Sequence, residues 1–460
     1  MDYDYKFKKN SEREVEKFVG IHAFSTSDLD GIGGIYKDSY KDFIVKEITE
    51  TWEILELKED RDSSPFLKNR DKYTTFNLIK VNRDTFNALN ELCKALKISK
   101  WKLSYSGLKD KCSISAQKVS IQGDYVNELN NLNIKDIFIR SIKPSKKPVL
   151  LGSNRGNNFV ITIRKIEDQN NLEQKLSNLL DRLRKYGFPN YFGLQRFGTY
   201  RPNSHLIGRY LLEGNYKRAI KEFVSTIYSS ESKNLSKIRY KLGKSLDDVN
   251  KLRERYKSFP KGLTYECQLI EYLIVHPKDY QGAFNQLNEE IINLIINAFQ
   301  SYIFNKLISL RVKKGISLFK PIKGDLISIL DDINGHTTNA TYLYGNYYDK
   351  YLGEVIDLNR ASIVIPLIGY DTDLNDFPLM KKLFNQIIKE ENLNPDIFNS
   401  KLLNKFNLKG SFRAMTTIPI GLKLIELSDD DKYKGKKKVK IEFSLNKGCY
   451  ATMLLRELIK

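Results

Sequence analysis

An α+β fold, in which one sheet domain is interrupted by a large insertion, is what this sequence predicts. Three observations carry the prediction. The chain has 460 residues, beyond the roughly 250–300 at which a single core stops growing. Apolar residues alternate with others along Phe159–Arg164 and again along Lys438–Leu445, far apart in the chain, which is the period of a half-buried strand. Between them, from about Asn203 to Leu310, the apolar spacing is mostly helical. The simplest arrangement assigns 1–212 and 411–460 to one mixed sheet domain and 213–410 to the insertion.

In chain order, Phe43-Ile44-Val45-Lys46-Glu47-Ile48 reads as a strand. Asp84 is a good N-cap for a helix carrying Phe86, Leu89, Leu92, Cys93 and Leu96. Phe159, Ile161 and Ile163 alternate with Val160, Thr162 and Arg164 as a further strand. Leu172, Leu176, Leu179, Leu180 and Leu183 follow Asn170-Asn171 at helical spacing, and Gly187 is a natural stop. The helical middle ends in a long segment around Ile291, Ile295, Phe299, Tyr302, Ile303 and Leu307. From Tyr342 to Gly353 the chain reads as irregular and rich in Tyr and Gly, near Leu383–Leu393 as helix, and after Gly410 as strand again. Val439, Ile441, Phe443 and Leu445 form the clearest half-buried strand. Gly31-Ile32-Gly33-Gly34 has the look of a dinucleotide loop, but the full G-x-G-x-x-G is absent and no strand precedes it, so no nucleotide cofactor is expected.

Lys and Arg number 76 against 56 Asp and Glu, a formal charge of +20. Such an excess favours a polyanionic partner, nucleic acid above all; a general lysine bias is the competing reading. The densest basic run is Lys432–Lys440. Cys93, Cys112, Cys267 and Cys449 are far apart, as are His22, His205, His276 and His336, so neither a structural zinc site, a disulfide framework nor metal catalysis is expected. No apolar run approaches the ~18 residues of a membrane-spanning helix. Met1–Lys6 has no apolar signal character, so a cytoplasmic location is expected.

Three segments have the composition of a reactive site. Tyr105-Ser106-Gly107-Leu108-Lys109-Asp110-Lys111 sets one carboxylate between two lysines in a basic protein. Flanking cations favour an ionised carboxylate, which can act as a nucleophile or base; a surface turn of alternating charge is the bland reading. Pro189-Asn190-Tyr191-Phe192-Gly193-Leu194-Gln195-Arg196-Phe197-Gly198 gathers aromatics, amides and an arginine. Exposed aromatics stack on splayed bases and amides bond base edges, so at least one of Tyr191, Phe192 and Phe197 is expected at the surface, with others in the core. Lys447–Glu457 reads as a turn into a final helix, as readily structural as functional.

These residues resemble a known family. Gly107-Leu108-Lys109-Asp110-Lys111 with Gln117 is similar to the GxKD motif of the tRNA pseudouridine synthase D family. Asn190–Gly198 resembles its NYFGxQRFG motif, Gln300-Ser301-Tyr302-Ile303-Phe304-Asn305 its QSxxFN helix, and Gly448–Glu457 its C-terminal GxYATxxLRE. The matches fall in the same order and span most of the chain. The resemblance implies a pseudouridine synthase catalytic core, a mixed and largely antiparallel sheet with flanking helices, interrupted by a family-specific insertion domain. It implies isomerisation of uridine to pseudouridine in tRNA, at position 13 of the D-arm, without a cofactor, although related members act at other positions and on other RNAs. By the same resemblance Asp110 is the catalytic aspartate, Phe192 stacks on the target base, Asn190 belongs to the active site, and Lys37 lies near the carboxylate. Lys109, Lys111 and Arg196 are expected among the RNA contacts. The chain departs from the family at Asp84-Thr85 (Asn-Thr is common), at Ser106 (alanine is usual), at Ser115 (threonine) and at Ser39-Tyr40, where a proline is common. A non-catalytic RNA-binding protein or RNA chaperone is the main alternative. A magnesium nuclease is weaker, since it wants clustered acids and none lie near Asp110 in sequence. No membrane partner is expected, and the oligomeric state is open, a monomer being compatible.

Overall fold

The computed structural model describes residues 12–58, 65–66, 71–198, 200–331, 336–345 and 347–460. Met1–Lys6, on which the expected location rests, lie outside the described residues. The chain divides into two compact units, each made of two segments: Ser25–Phe188 with Thr417–Lys460, and the residues to Phe24 with Pro189–Thr416. The division therefore falls at 188/189 and 416/417, where sequence patterning places it at 212/213 and 410/411.

The first unit is built on an eight-stranded sheet. Its strands are β1 (Phe43–Ile48), β2 (Tyr73–Val81), β3 (Leu103–Tyr105), β4 (Ile114–Gln122), β5 (Ile137–Ser145), β6 (Gly156–Glu167) and, from the C-terminal segment, β7 (Ile420–Asp429) and β8 (Lys436–Asn446). They run in the order β7-β8-β6-β1-β4-β2-β5, with β3 added on β4. The β1–β4 pair is parallel and the other pairs are antiparallel, so the sheet is mixed and largely antiparallel, as expected.

The predicted alternation decides which face each strand buries. Val439, Ile441, Phe443 and Leu445 of β8 are all buried, and Phe443 sits opposite Phe159 of β6 with its ring stacked 5.4 Å away. Phe43 of β1 meets Phe159 edge-on at 6.1 Å, so three strands share one aromatic seam. Helix Thr85–Leu96, capped by the Asp84 carboxylate on the Asn87 amide, buries Ala88, Leu89 and Leu92 with Phe76, Leu78, Val119 and Ile139 of the sheet. Helix Leu172–Tyr186 buries its five leucines and stops at Gly187, whose φ of 71° suits glycine.

The glycine-rich stretch is a packing device. A Cβ on Gly31 would lie 2.5 Å from the Ile459 carbonyl, and one on Gly34 would lie 2.7 Å from the Arg164 carbonyl. Backbone comes this close only where no side chain stands.

The second unit centres on the 25-residue helix Glu289–Lys313, packed on helices Ser204–Leu212 and Pro378–Glu390. By length and composition this helix could cross a membrane; 67% of its apolar window is buried inside the protein. The unit also holds a four-stranded sheet in the order Ser411–Ala414, Ala361–Leu367, Leu326–Leu330, Thr337–Leu343. The region read as irregular thus contains the end of a strand, Tyr342 and Leu343, and the helix Asp349–Asp357. Thr337–Leu343 has no apolar period to reveal it and is held by its ladder to Leu326–Leu330.

Candidate active site

Asp110 sits in the loop between β3 and β4, and the peptide groups around it are held from several directions. The Ser106 carbonyl accepts from the Gly152 amide at 2.6 Å. The Gly107 carbonyl accepts from Gln117 Nε2 at 3.2 Å. The Lys109 amide donates to Thr85 Oγ1 at 3.0 Å, and Thr85 Oγ1 donates to Gln117 Oε1 at 3.2 Å. The Asp110 carbonyl accepts from both Ser113 Oγ and Lys80 Nζ, each at 2.7 Å. Gln117 and Thr85 therefore belong to this loop's support.

Beneath the loop lies a buried charge cluster. Glu47 of β1 accepts from Lys109 Nζ at 2.7 Å and from the Ser106 hydroxyl with Oε2, and from the Lys118 amide at 3.1 Å with Oε1. Ser106, where the family usually has alanine, gives this carboxylate a donor. Lys109 corrects the sequence expectation: it is buried and paired with Glu47, so its ammonium is turned inward and is not presented to a phosphate. Lys111 is exposed.

The Asp110 carboxylate itself meets Lys37 Nζ at 2.7 Å, the two side chains being 34% and 20% exposed. Lys37 also stands 4.2 Å over the Phe43 ring. Its φ of 57° puts a bulky residue in left-handed backbone, a conformation that costs about 1–2 kcal/mol outside glycine. The turn that follows is locked by a capping box between Ser39 and Asp42, a role that suits Ser39 in place of proline.

In the second unit, Asn190 and Phe192 are pinned by two segments, residues 413–415 and Asn305. Asn190 donates its amide to Met415 at 2.9 Å and its Nδ2 to the Ala414 carbonyl at 3.0 Å. Arg413 donates to the Asn190 carbonyl at 3.2 Å and to its Oδ1. Asn305 accepts from the Phe192 amide at 2.9 Å and donates to its carbonyl at 3.0 Å. It also bonds the Val19 carbonyl, and Ser309 bonds the Tyr191 hydroxyl and the Gly20 carbonyl. The QSxxFN helix thus gathers both the Asn190 segment and the residues near Gly20, which is why both belong to this unit.

The aromatics of the segment are more enclosed than expected. Tyr191 and Phe197 are 1% and 0% exposed, and Phe192 is 9% exposed, so none stands at the surface. The reason is local: the Arg413 guanidinium lies 4.5 Å from the Phe192 ring centre, and Phe304 packs edge-on at 5.3 Å. Arg196 is half-buried, donating to Ser301 Oγ at 3.2 Å.

Sequence reasoning missed Lys80, Glu47 and Arg413. The signal for the first two lies in the strand period. Phe43, Val45 and Glu47 share one buried face, as do Phe76, Leu78 and Lys80, and an ionisable residue at an apolar position of a strand is rarely idle. Arg413 follows Gly410 with no comparable pattern.

The sequence matches the family model of tRNA pseudouridine synthase D over residues 18–458. The chain belongs to the tRNA pseudouridine synthase D family. It is 31% identical over 449 residues to a protein of Methanosarcina mazei named probable tRNA pseudouridine synthase D, covering 97% of this chain and 98% of that one. A protein of the same name from Archaeoglobus fulgidus is also 31% identical, covering 97% of this chain and 99% of its own. A crystal structure of a Methanosarcina mazei protein titled putative tRNA pseudouridine synthase D superposes with a TM-score of 0.79 at 31% identity, covering 97% of this chain and 98% of that one. As a member of the family the protein is a tRNA pseudouridine synthase, an isomerase.

Among the described residues, no group of three His, Cys, Asp or Glu side chains could hold a metal ion. The basic run of the synthase is also less open than its sequence suggests. Lys432 pairs with Asp38, Lys436 with Glu167, Lys437 with Asp429 and Lys438 with Asp431.

Proposed function

We propose that this synthase converts uridine to pseudouridine at position 13 of the tRNA D-arm, with Asp110 as its catalytic carboxylate. The observation that carries the assignment of Asp110 is its pairing with Lys37 at 2.7 Å, on a loop held by Thr85, Gln117, Ser113 and Lys80. A half-exposed carboxylate on a fixed backbone can meet a sugar without reorganising, which is where preorganised sites gain rate.

In the reaction the N1–C1′ bond of uridine breaks, the uracil turns, and a C5–C1′ bond forms. The C5 hydrogen leaves as a proton and N1 takes one up, so atoms and electrons balance without a redox partner. Asp110 either attacks C1′ or balances positive charge on the sugar; both need an ionised carboxylate, and Lys37 keeps that charge partnered. The family resemblance assigns Phe192 to the face of the uracil and Asn190 to a base edge or to the carboxylate; for Phe192 to stack on a base, the Arg413 guanidinium now 4.5 Å from its ring centre has to give way. A uridine within a stem must first be flipped out, at a few kcal/mol, which phosphate contacts from Lys and Arg offset.

Two experiments test this. Asp110→Asn keeps the shape of the side chain but cannot act as nucleophile or base, so tritium release from RNA labelled at uracil C5 should fall by on the order of 10³-fold or more while tRNA binding persists. A well-folded Asp110→Asn protein that still releases tritium sinks the assignment. Mapping pseudouridines in total tRNA from cells with and without the protein decides the position.

A further inference from the structure

Lys80 is fully buried in β2, and among the described residues its ammonium is in no ion pair. Its Nζ donates to two main-chain carbonyls, those of Arg83 and Asp110, both at 2.7 Å. Burying an ammonium is expensive unless it is bonded, and a leucine or methionine would suit the apolar register set by Phe76 and Leu78. A lysine is needed for both bonds, and one of them reaches the loop that carries Asp110.

We propose that Lys80 is a positioning residue for the catalytic carboxylate: from inside the sheet its ammonium anchors the Asp110 carbonyl and adds a second cation behind the side chain that Lys37 faces from outside. The proposal rests on the reading of Asp110 given above. The charges acting on Lys80 come from the surrounding loops. Burial pulls its ammonium down to about 8, Asp110 and Asp84 oppose that, and Lys109 adds to it. Asp110 is itself paired with Lys37, and Lys109 with Glu47. The residues opposite Lys80 on β4 and β5 are Ser115 and Ile137, which carry no charge.

Turnover therefore falls on the alkaline side as this ammonium is lost. Stability moves the other way. The folded value lies below the unfolded one of 10.5, so between about 8 and 10.5 the unfolded chain holds a proton the folded chain lacks, and folding is favoured as pH rises through that window. An alkaline fall in rate without a fall in melting temperature is the signature.

The test is single-turnover tritium release from about pH 6.5 to about pH 9.5, with tRNA affinity and melting temperature, for wild type, Lys80→Met, Lys80→Arg and Asp110→Asn. Lys80→Met should bind tRNA normally, react about 10²-fold more slowly and lose the alkaline limb. Lys80→Arg, charged throughout, should recover part of the rate and move the limb upward. A limb identical in all active variants belongs to the RNA and overturns the proposal, as does a Lys80→Met protein with wild-type rate. Should neither variant fold, the wild-type limb decides: centred near 8 it supports the proposal, and absent or more than about one unit higher it overturns it. Active Asp110→Asn fails the reading of Asp110, whereas inactive Asp110→Asn beside an unaffected Lys80→Met fails Lys80 alone.

Discussion

Lys109 and Asp110 are consecutive, yet one is buried against Glu47 and the other stands half-exposed beside Lys37. Neighbouring residues of one motif therefore have different partners, and on the reading proposed above the cation serves the structure while the anion serves the reaction. Lys37 shows the complementary case, a residue held in backbone that glycine would prefer, with φ of 57°. Strain of this kind persists where its surroundings over-determine it, and such places cluster at functional sites. Lys37→Gly separates the two contributions. Relief of about 1 kcal/mol or more of backbone strain should offset the lost ion pair, so the variant should melt close to wild type while tritium release falls well over tenfold. A variant that melts far lower, or one that reacts normally, would show that Lys37 serves the fold and not Asp110.

At the level of elements, β1 and β2 each carry an ionisable residue where the pattern calls for an apolar one. Glu47 and Lys80 rise from the sheet to hold the loop above it, so two strands that look like core are also the floor of the site. The buried Lys109–Glu47 pair is the place where this arrangement is most exposed to mutation. Lys109→Met leaves the Glu47 carboxylate buried beside an apolar group, a change that typically destabilises by about 3–5 kcal/mol. Denaturant unfolding should show this, and adding Glu47→Gln should recover most of the loss. The salt dependence of tRNA binding should not change in a Lys109→Met protein that remains folded; a shallower dependence would mean that Lys109 reaches the RNA.

Over the whole molecule, the excess of 20 positive charges is a property of the field rather than of any one run. Lys432–Lys440 is largely occupied by acids of its own unit, and Arg164 is shared by Asp42, Asp430 and Asp431, so the densest basic stretch is not the freest. The field still predicts that the logarithm of tRNA affinity falls linearly with log salt, each phosphate neutralised adding about 0.7–0.9 to the slope. Filter binding at several salt concentrations measures it, and Asp110→Asn should have the same slope as wild type. An affinity indifferent to salt would contradict a role for the net charge.

The period-two strands at Phe159 and Val439 and the leucine helix ending at Gly187 were legible from the sequence because their order follows from near neighbours along the chain. The motifs around Asp110, Asn190 and Asn305 were legible as a resemblance, since residue identity and spacing survive without coordinates. What patterning could not decide was where each side chain ends. That Lys109 faces Glu47, that Phe192 lies under Arg413, that Asn190 belongs with the helix of Asn305, and that Lys80 reaches the Asp110 carbonyl all depend on partners between 30 and 224 residues away. A charged residue costs little at the surface and several kcal/mol in the core unless a partner meets it. Only the tertiary structure supplies that partner, and so only it tells a lysine that holds the site together from one that greets the RNA.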